Sequence, residues 1–128
     1  MKKLLAFAVT ALFAVSLTAG EYPDISIKEL KTHIAKKKVT VIDVMGGGSY
    51  KKGHVPTAIS FAKHGKSLAK VLPKDKNPLI VAYCGGPSCK AYKRAADLAA
   101  KLGYTNVKHM SAGISGWKKA GEKTEKAN

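Results

Sequence analysis

The spacing of apolar positions changes several times along the chain. From Ser26 it is helical: Ile27, Leu30 and Ile34 share one face, and Ser26-Ile27-Lys28-Glu29 has the form of a capping box with Ser26 as N-cap. This predicts a helix from Ile27 to about Lys37. Val39-Thr40-Val41-Ile42-Asp43-Val44 is β-branched and bounded by lysines and glycines, which predicts a strand. Met45 to Ser49 is glycine-rich, Tyr50-Lys51-Lys52-Gly53 closes a short helical turn, and Gly53-His54-Val55-Pro56 turns into a short strand around Ala58-Ile59-Ser60. Ser67 to Leu72 predicts a short helix ended by Pro73. Leu79 to Tyr83 is a second apolar strand. Lys90 to Leu102 carries Ala91, Ala95, Leu98, Ala99 and Leu102 at helical spacing, with Gly103 as its cap. Val107 to Met110 is a short strand, and Ile114 to Ala120, with Trp117, a last helix. Strands alternating with helices predict an α/β class with a mostly parallel sheet. The expected division is a signal peptide at 1–20, one domain at 21–121 and a polar tail at 122–128 that frays.

The first twenty residues change the picture. Lys2 and Lys3 precede an apolar run from Leu4 to Leu17, and Thr18-Ala19-Gly20 offers small residues for cleavage before Glu21. The run is short for a membrane span. The expectation is export to the periplasm or medium with cleavage after Gly20, leaving no membrane attachment. Export places both cysteines in an oxidising compartment. The net charge of +15 invites a nucleic-acid reading, but only Arg94 among the 23 basic residues is arginine, and the lysines are scattered. A basic surface that attracts small anions or an acidic redox partner fits better than nucleic acid.

The chemistry concentrates after the second strong strand, in Ala82-Tyr83-Cys84-Gly85-Gly86-Pro87-Ser88-Cys89-Lys90. Ligands of such sheets bind beyond the carboxyl ends of the strands. A loop of residues 85 to 89 curling around Cys84 would point amides at its sulfur, and Gly85 and Gly86 permit the positive-φ turns such a curl needs. Pro87 has no N–H to give. With Lys90 opening a helix, and Lys93 and Arg94 close behind, an anion is favoured at the centre. A thiol of ordinary pKa about 8.5 falls to roughly 3.5–7.5 in such surroundings. The alternative is that Cys84 is a small buried apolar residue at a strand end. No CxxC, HExxH or Cys/His zinc spacing occurs, so no metal site is expected.

Three stretches resemble the single-domain rhodanese sulfurtransferases. Val41-Ile42-Asp43-Val44 followed by Tyr50-Lys51-Lys52-Gly53-His54-Val55-Pro56-Thr57-Ala58-Ile59 is the first, and Val81-Ala82-Tyr83-Cys84 with its loop the second. The third is Leu102-Gly103-Tyr104-Thr105-Asn106-Val107 with Ala112-Gly113-Ile114-Ser115-Gly116-Trp117. The resemblance spans roughly Ile25 to Gly121. It implies the rhodanese fold, a five-stranded, mostly parallel sheet with helices on both faces. It also implies that Cys84 takes sulfane sulfur from a small sulfur-containing anion (thiosulfate, polysulfide or persulfide), holds it as a persulfide, and passes it to a thiol or cyanide-like acceptor. Gly85, Gly86, Ser88, Cys89 and Lys90 would bind the substrate, without metal or organic cofactor. Asp43, His54 and Arg94 would form the rim, with Asp43 hydrogen-bonding near Gly53-His54 and His54 orienting the turn rather than transferring protons. His33, His64 and His109 read as surface or packing residues, and Trp117 as packing.

The chain also departs from the pattern. Met45-Gly46-Gly47-Gly48 stands where many members carry an arginine and an acid, giving an open, flexible edge and making thiosulfate a doubtful natural donor. Cys89 stands where an arginine or other polar residue is frequent. It reads as inert, as a thiol that resolves the Cys84 persulfide, or as half of a resting disulfide; the last two need Cα atoms within about 7 Å. The rival functions are a Cys84/Cys89 dithiol redox protein and a non-catalytic binding module. Phosphatases and arsenate reductases of related fold use a longer loop ending in arginine, at the distance where Lys90 stands.

Overall fold

A computed structural model describes residues 22–128; the predicted signal at 1–20 lies outside the described residues. The first helix, α1 (Ile27–Ala35), starts as its sequence predicts, with the Glu29 amide donating to Ser26 Oγ at 3.1 Å. It is followed by β1 (Val39–Asp43), α2 (Gly47–Lys52), β2 (Ile59–Ser60), α3 (Phe61–His64), a 3-10 turn at Gly65–Ser67, α4 (Leu68–Val71), β3 (Leu79–Tyr83), α5 (Tyr92–Lys101), β4 (Val107–His109) and α6 (Gly113–Lys119). Two expected elements move. The helix expected at Ser67–Leu72 is a 3-10 turn and a single α turn, and α5 begins at Tyr92 rather than Lys90, leaving Lys90 in the loop.

The sheet is parallel throughout, in the order β2-β1-β3-β4. Among the described residues it has four strands, not the five expected. A fifth position survives as a bridge between Asp24 and His109, held by Ile25 N–H donating to His109 O and His109 N–H donating to Pro23 O, both 2.9 Å. Pro23 has no amide with which to extend that ladder, and the Ser26 cap starts α1 at once.

Alternation along β3 sorts the core. Ile80, Ala82 and, just past the strand, Cys84 face α5, packing with Ile42, Val44, Tyr92, Ala95, Ala96 and Ala99. Leu79, Val81 and Tyr83 face the opposite layer, where Leu30, Ile114 and Trp117 bring in α1 and α6. Helices therefore cover both faces, as a parallel sheet requires. The small alanines of α5 let that helix lie close on the sheet.

The tail does not fray. Residues 122–128 turn back across the segment between α2 and β2. His54 and Glu125 exchange both backbone hydrogen bonds at 2.9 Å, the Thr57 amide donates to Glu125 Oε1 at 2.8 Å, and the Ala127 amide donates to Lys51 O at 3.1 Å. Lys31 pairs with Glu122 at 2.9 Å, and Trp117 Nε1–H donates to Lys123 O at 2.7 Å. Polar sequence predicted a loose end because it lacks apolar periodicity, yet backbone pairing needs none. Among the described residues no helix is long and apolar enough to cross a membrane.

Candidate functional site

Strands β1 and β3 lie side by side with Asp43 opposite Tyr83, so their ends stand together at the carboxyl edge of the sheet. At this edge the chain builds two different structures from adjacent residues.

The first is a closed polar knot. The Asp43 carboxylate is fully buried and accepts from Met45 N–H at 2.7 Å and from Tyr83 Oη–H at 2.5 Å; Tyr83 Oη in turn accepts from Val55 N–H at 3.0 Å. Burial raises the Asp43 carboxyl above the usual carboxylate range, more than these two donors lower it. Burial and the adjacent carboxylate likewise push the Tyr83 phenol far up, so it stays a neutral donor. Asp43 thus reaches the Gly53–Val55 turn through Tyr83 rather than by direct contact. His54 is buried, stacked on Tyr50 with centroids 3.7 Å apart, and its Nδ1 lies 2.8 Å from Tyr50 O. Both of its backbone groups pair with Glu125. These contacts fix the His54 ring and the turn that carries it.

The second structure is the cysteine loop. Cys84 is 1% exposed, and its sulfur is bonded to that of Cys89, with Cα atoms 6.2 Å apart. Both cysteines of the chain are joined in this bond, a state that the resolving-thiol and the resting-disulfide readings of Cys89 share. The turn Gly86-Pro87-Ser88-Cys89 makes it possible: Cys89 N–H donates to Gly86 O at 3.1 Å. Pro87 sits where its fixed φ preforms such a turn, bringing Cys89 back toward Cys84. Two expectations change here. The Cys89 amide closes the turn instead of facing the Cys84 sulfur, and neither Gly85 nor Gly86 has a positive φ. Gly85, Gly86 and Ser88 keep amides that bond to no other described protein group. Gly47 and Gly48 of the glycine run enter α2 with Gly46 as N-cap, so that edge is helical rather than a flexible loop.

What fixes the cysteine loop lies elsewhere. Ile114 N–H donates to Cys84 O at 2.9 Å and Ser115 N–H to Gly85 O at 3.0 Å. These first amides of α6 have no partner inside their own helix, so they hold the loop's carbonyls. The approach is close enough to need a glycine. Gly113 has φ +65°, and a Cβ there would lie 2.5 Å from the Gly85 carbonyl carbon. Sequence reading passed over Gly113 as a positioning residue; a glycine opening a short helix right after a strand was the available signal.

The remaining named residues separate. Lys90 is exposed in the loop, and Arg94 is exposed on α5 with its guanidinium carbon 5.7 Å from the Phe61 ring centroid. His109 is buried and stacked on Tyr92, centroids 3.4 Å apart, with Nε2 lacking a hydrogen-bond partner. Burial holds its imidazole below the usual range against the opposing pull of Asp24. Trp117 packs in the core with Leu30 and Ile114. Among the described residues no His, Cys, Asp or Glu cluster is arranged to hold a metal ion.

Fold and site define a parallel α/β domain with a cysteine loop on its central strand. The chain belongs to the rhodanese-like domain family, which matches residues 26–120. It is similar to the BH2092 protein of Bacillus halodurans, whose crystal structure is 35% identical and superposes with a TM-score of 0.70 over 82% of this chain and 77% of that one. It is 32% identical over 116 residues to the HTH-type transcriptional regulator Rv0324 of Mycobacterium tuberculosis, covering 89% of this chain and only 50% of the regulator. It therefore spans half the length of that relative. Thiosulfate sulfurtransferase GlpE of Shewanella oneidensis is 26% identical over 104 residues, which is 79% of this chain and 97% of that enzyme.

Proposed function

We propose that the protein is a sulfurtransferase in which Cys84 carries the sulfur and Cys89 resolves it. The observation that supports this most is the Cys84–Cys89 bond at the carboxyl end of β3, beside amides with no protein partner. In the reduced protein the Cys84 thiolate attacks the outer sulfur of a donor R–S–SH. The donor's S–S bond breaks, its electron pair leaves on R–S⁻, and Cys84 becomes Cys84–S–SH. The amides of Gly85, Gly86 and Ser88, which have no other partner among the described residues, would stabilise negative charge on that sulfur. A thiol acceptor can then take the outer sulfur. Alternatively the Cys89 thiolate attacks the inner sulfur of the persulfide, forming the Cys84–Cys89 disulfide and releasing HS⁻. A dithiol reductant reopens the disulfide and is itself oxidised to a disulfide.

Polysulfide and organic persulfide satisfy this chemistry as written, thiosulfate does so with sulfite as the leaving group, and cyanide can serve as acceptor. The proposal extends to location: export with cleavage after Gly20 would put the domain in the periplasm or medium, where a disulfide persists. An acidic redox protein would suit the basic surface as the reductant's carrier.

The same bond favours a second reading, a dithiol–disulfide redox protein that handles electrons and no sulfur. Exposing reduced Cys89→Ser protein to an organic persulfide, and following where its outer sulfur goes, separates the two. Sulfur transfer predicts one added sulfur on Cys84 that a thiol or cyanide then removes, and in the wild type its release as HS⁻ with formation of the Cys84–Cys89 disulfide. A Cys89→Ser protein that never holds added sulfur, while the wild type still cycles between dithiol and disulfide with a disulfide oxidant, supports the redox reading instead.

A further inference from the structure

A cavity of about 600 Å³ opens beside the cysteine loop, and the sulfur chemistry just proposed leaves it unused. It lies on the same side of the sheet as Cys84. Val44, which packs with Cys84 on the α5 face, forms part of its wall, and Arg94 of α5 forms another. Met45 lines it too, and touches the loop: its Sδ is 3.9 Å from where a Cβ on Gly85 would stand. The recess and the sulfur site are thus neighbours joined by one side chain.

Its lining has two characters. Lys63, Lys66 and Arg94 supply three cations, no acidic side chain lines it, and none of the three has an ion-pair partner among the described residues. Phe61, Val44 and Met45 supply an apolar floor, with the Phe61 ring lying against Gly65, where a Cβ would stand 3.3 Å from it. The volume falls within the roughly 300–1,000 Å³ typical of organic-ligand sites, far more than an inorganic sulfur oxyanion fills.

We infer that this recess binds the carbon skeleton and carboxylates of an organic thiol or persulfide, holding it while its sulfur exchanges at Cys84. The inference rests on the sulfurtransferase reading and narrows its substrate class. The carboxylates face Lys63, Lys66 and Arg94, and the methylene groups lie on Phe61 and Met45. As donor, the bound R–S–SH gives its outer sulfur to the Cys84 thiolate and leaves as R–S⁻. As acceptor, bound R–S⁻ attacks the outer sulfur of Cys84–S–SH, forming R–S–SH and returning the Cys84 thiolate. Each direction makes one S–S bond and breaks one, with no external oxidant.

Binding can be measured apart from turnover. Mercaptosuccinate, a thiol with two carboxylates, and cysteamine, a thiol with an ammonium group, are titrated by NMR into Cys84→Ser/Cys89→Ser protein. The Met45 methyl and Phe61 ring signals report. The oxidised wild type, titrated with the S-methyl derivatives of the two thiols, which cannot exchange with its disulfide, serves as a second background if the double variant folds poorly. Mercaptosuccinate should shift both signals saturably and cysteamine should not. Adding Lys66→Ala with Arg94→Ala should weaken mercaptosuccinate about twentyfold, as expected for two exposed cations acting together. Equal binding of the two thiols, or unchanged binding in the variant, overturns the inference. If the titration succeeds while Cys84 never accepts sulfur, the sulfurtransferase reading fails and the recess stands. If Cys84 accepts sulfur and the titration fails, the recess alone falls.

Discussion

The ends of β1 and β3 sit opposite each other, yet they hold their polar atoms in contrary ways. At Asp43 and Tyr83 the carboxylate, phenol and neighbouring amides satisfy one another inside the protein. Just past the end of β3, the Gly85, Gly86 and Ser88 amides have no described protein partner, while the carbonyls of Cys84 and Gly85 are tied to α6. The first end is closed and serves the fold. The second is held firmly from one side and left open on the other, which is how a loop can be rigid and still keep donors for a ligand. The lesson is that chemistry at this edge depends on two supports, the buried knot beneath and α6 behind.

Breaking the support behind the open end should have the largest effect. Gly113→Ala forces a Cβ against the Gly85 backbone at a positive φ. It should cost roughly 3 kcal/mol or more and displace the loop. Urea denaturation would register the loss, and slower re-formation of the disulfide after reduction would register the displacement. A midpoint equal to wild type would mean that α6 does not position the loop.

Opening the closed end comes next. Tyr83→Phe leaves a buried carboxylate oxygen and the Val55 amide without partners, at about 1–3 kcal/mol for each such group. The free energy of unfolding should therefore fall by about 2–6 kcal/mol. An unchanged stability would show that the knot contributes little and that the contrast is only geometric. Ending the chain at Gly121 tests the strap over the His54 turn. It should cost a smaller amount, about 1–2 kcal/mol for the backbone pairs lost, read from the same unfolding curves.

A subtler effect comes from His109, behind α5. The unfolded chain takes up a proton on this imidazole near pH 6.5, whereas burial makes the folded site resist it. Stability should therefore fall as pH drops below about 6.5 and be unaffected by this group above it. His109→Gln should flatten that dependence between about pH 7 and pH 5, measured as Tm across the range. An identical slope in the variant would remove His109 from the account.

The sequence carried the layout of the site better than its supports. The strand into Cys84, the presence of a tight loop after it and the Ser26 cap were legible because each depends on residues adjacent in the chain. The Asp43–Tyr83 bond was not, since it follows from the register between two strands 40 residues apart. The closeness of Gly113 to Gly85 likewise exists only once α6 has docked. The expected left-handed glycines illustrate the same limit. Gly85 and Gly86 suggested positive φ, but Pro87 shapes the turn, and the left-handed glycine that the loop needs is Gly113, contributed by another element. Sequence also placed a thiol at Cys89, but the bond to Cys84 required the loop's actual curvature.

The claim that Cys84 carries sulfur is tested most directly by the intact mass of reduced Cys89→Ser protein after exposure to polysulfide and removal of excess. With the resolving thiol absent, the added atom should stay where it lands. The account predicts a gain of one sulfur atom, mapped by peptide digestion to Cys84 and removed by cyanide or by a thiol. Reduced, folded protein that gains no sulfur on Cys84 would contradict it.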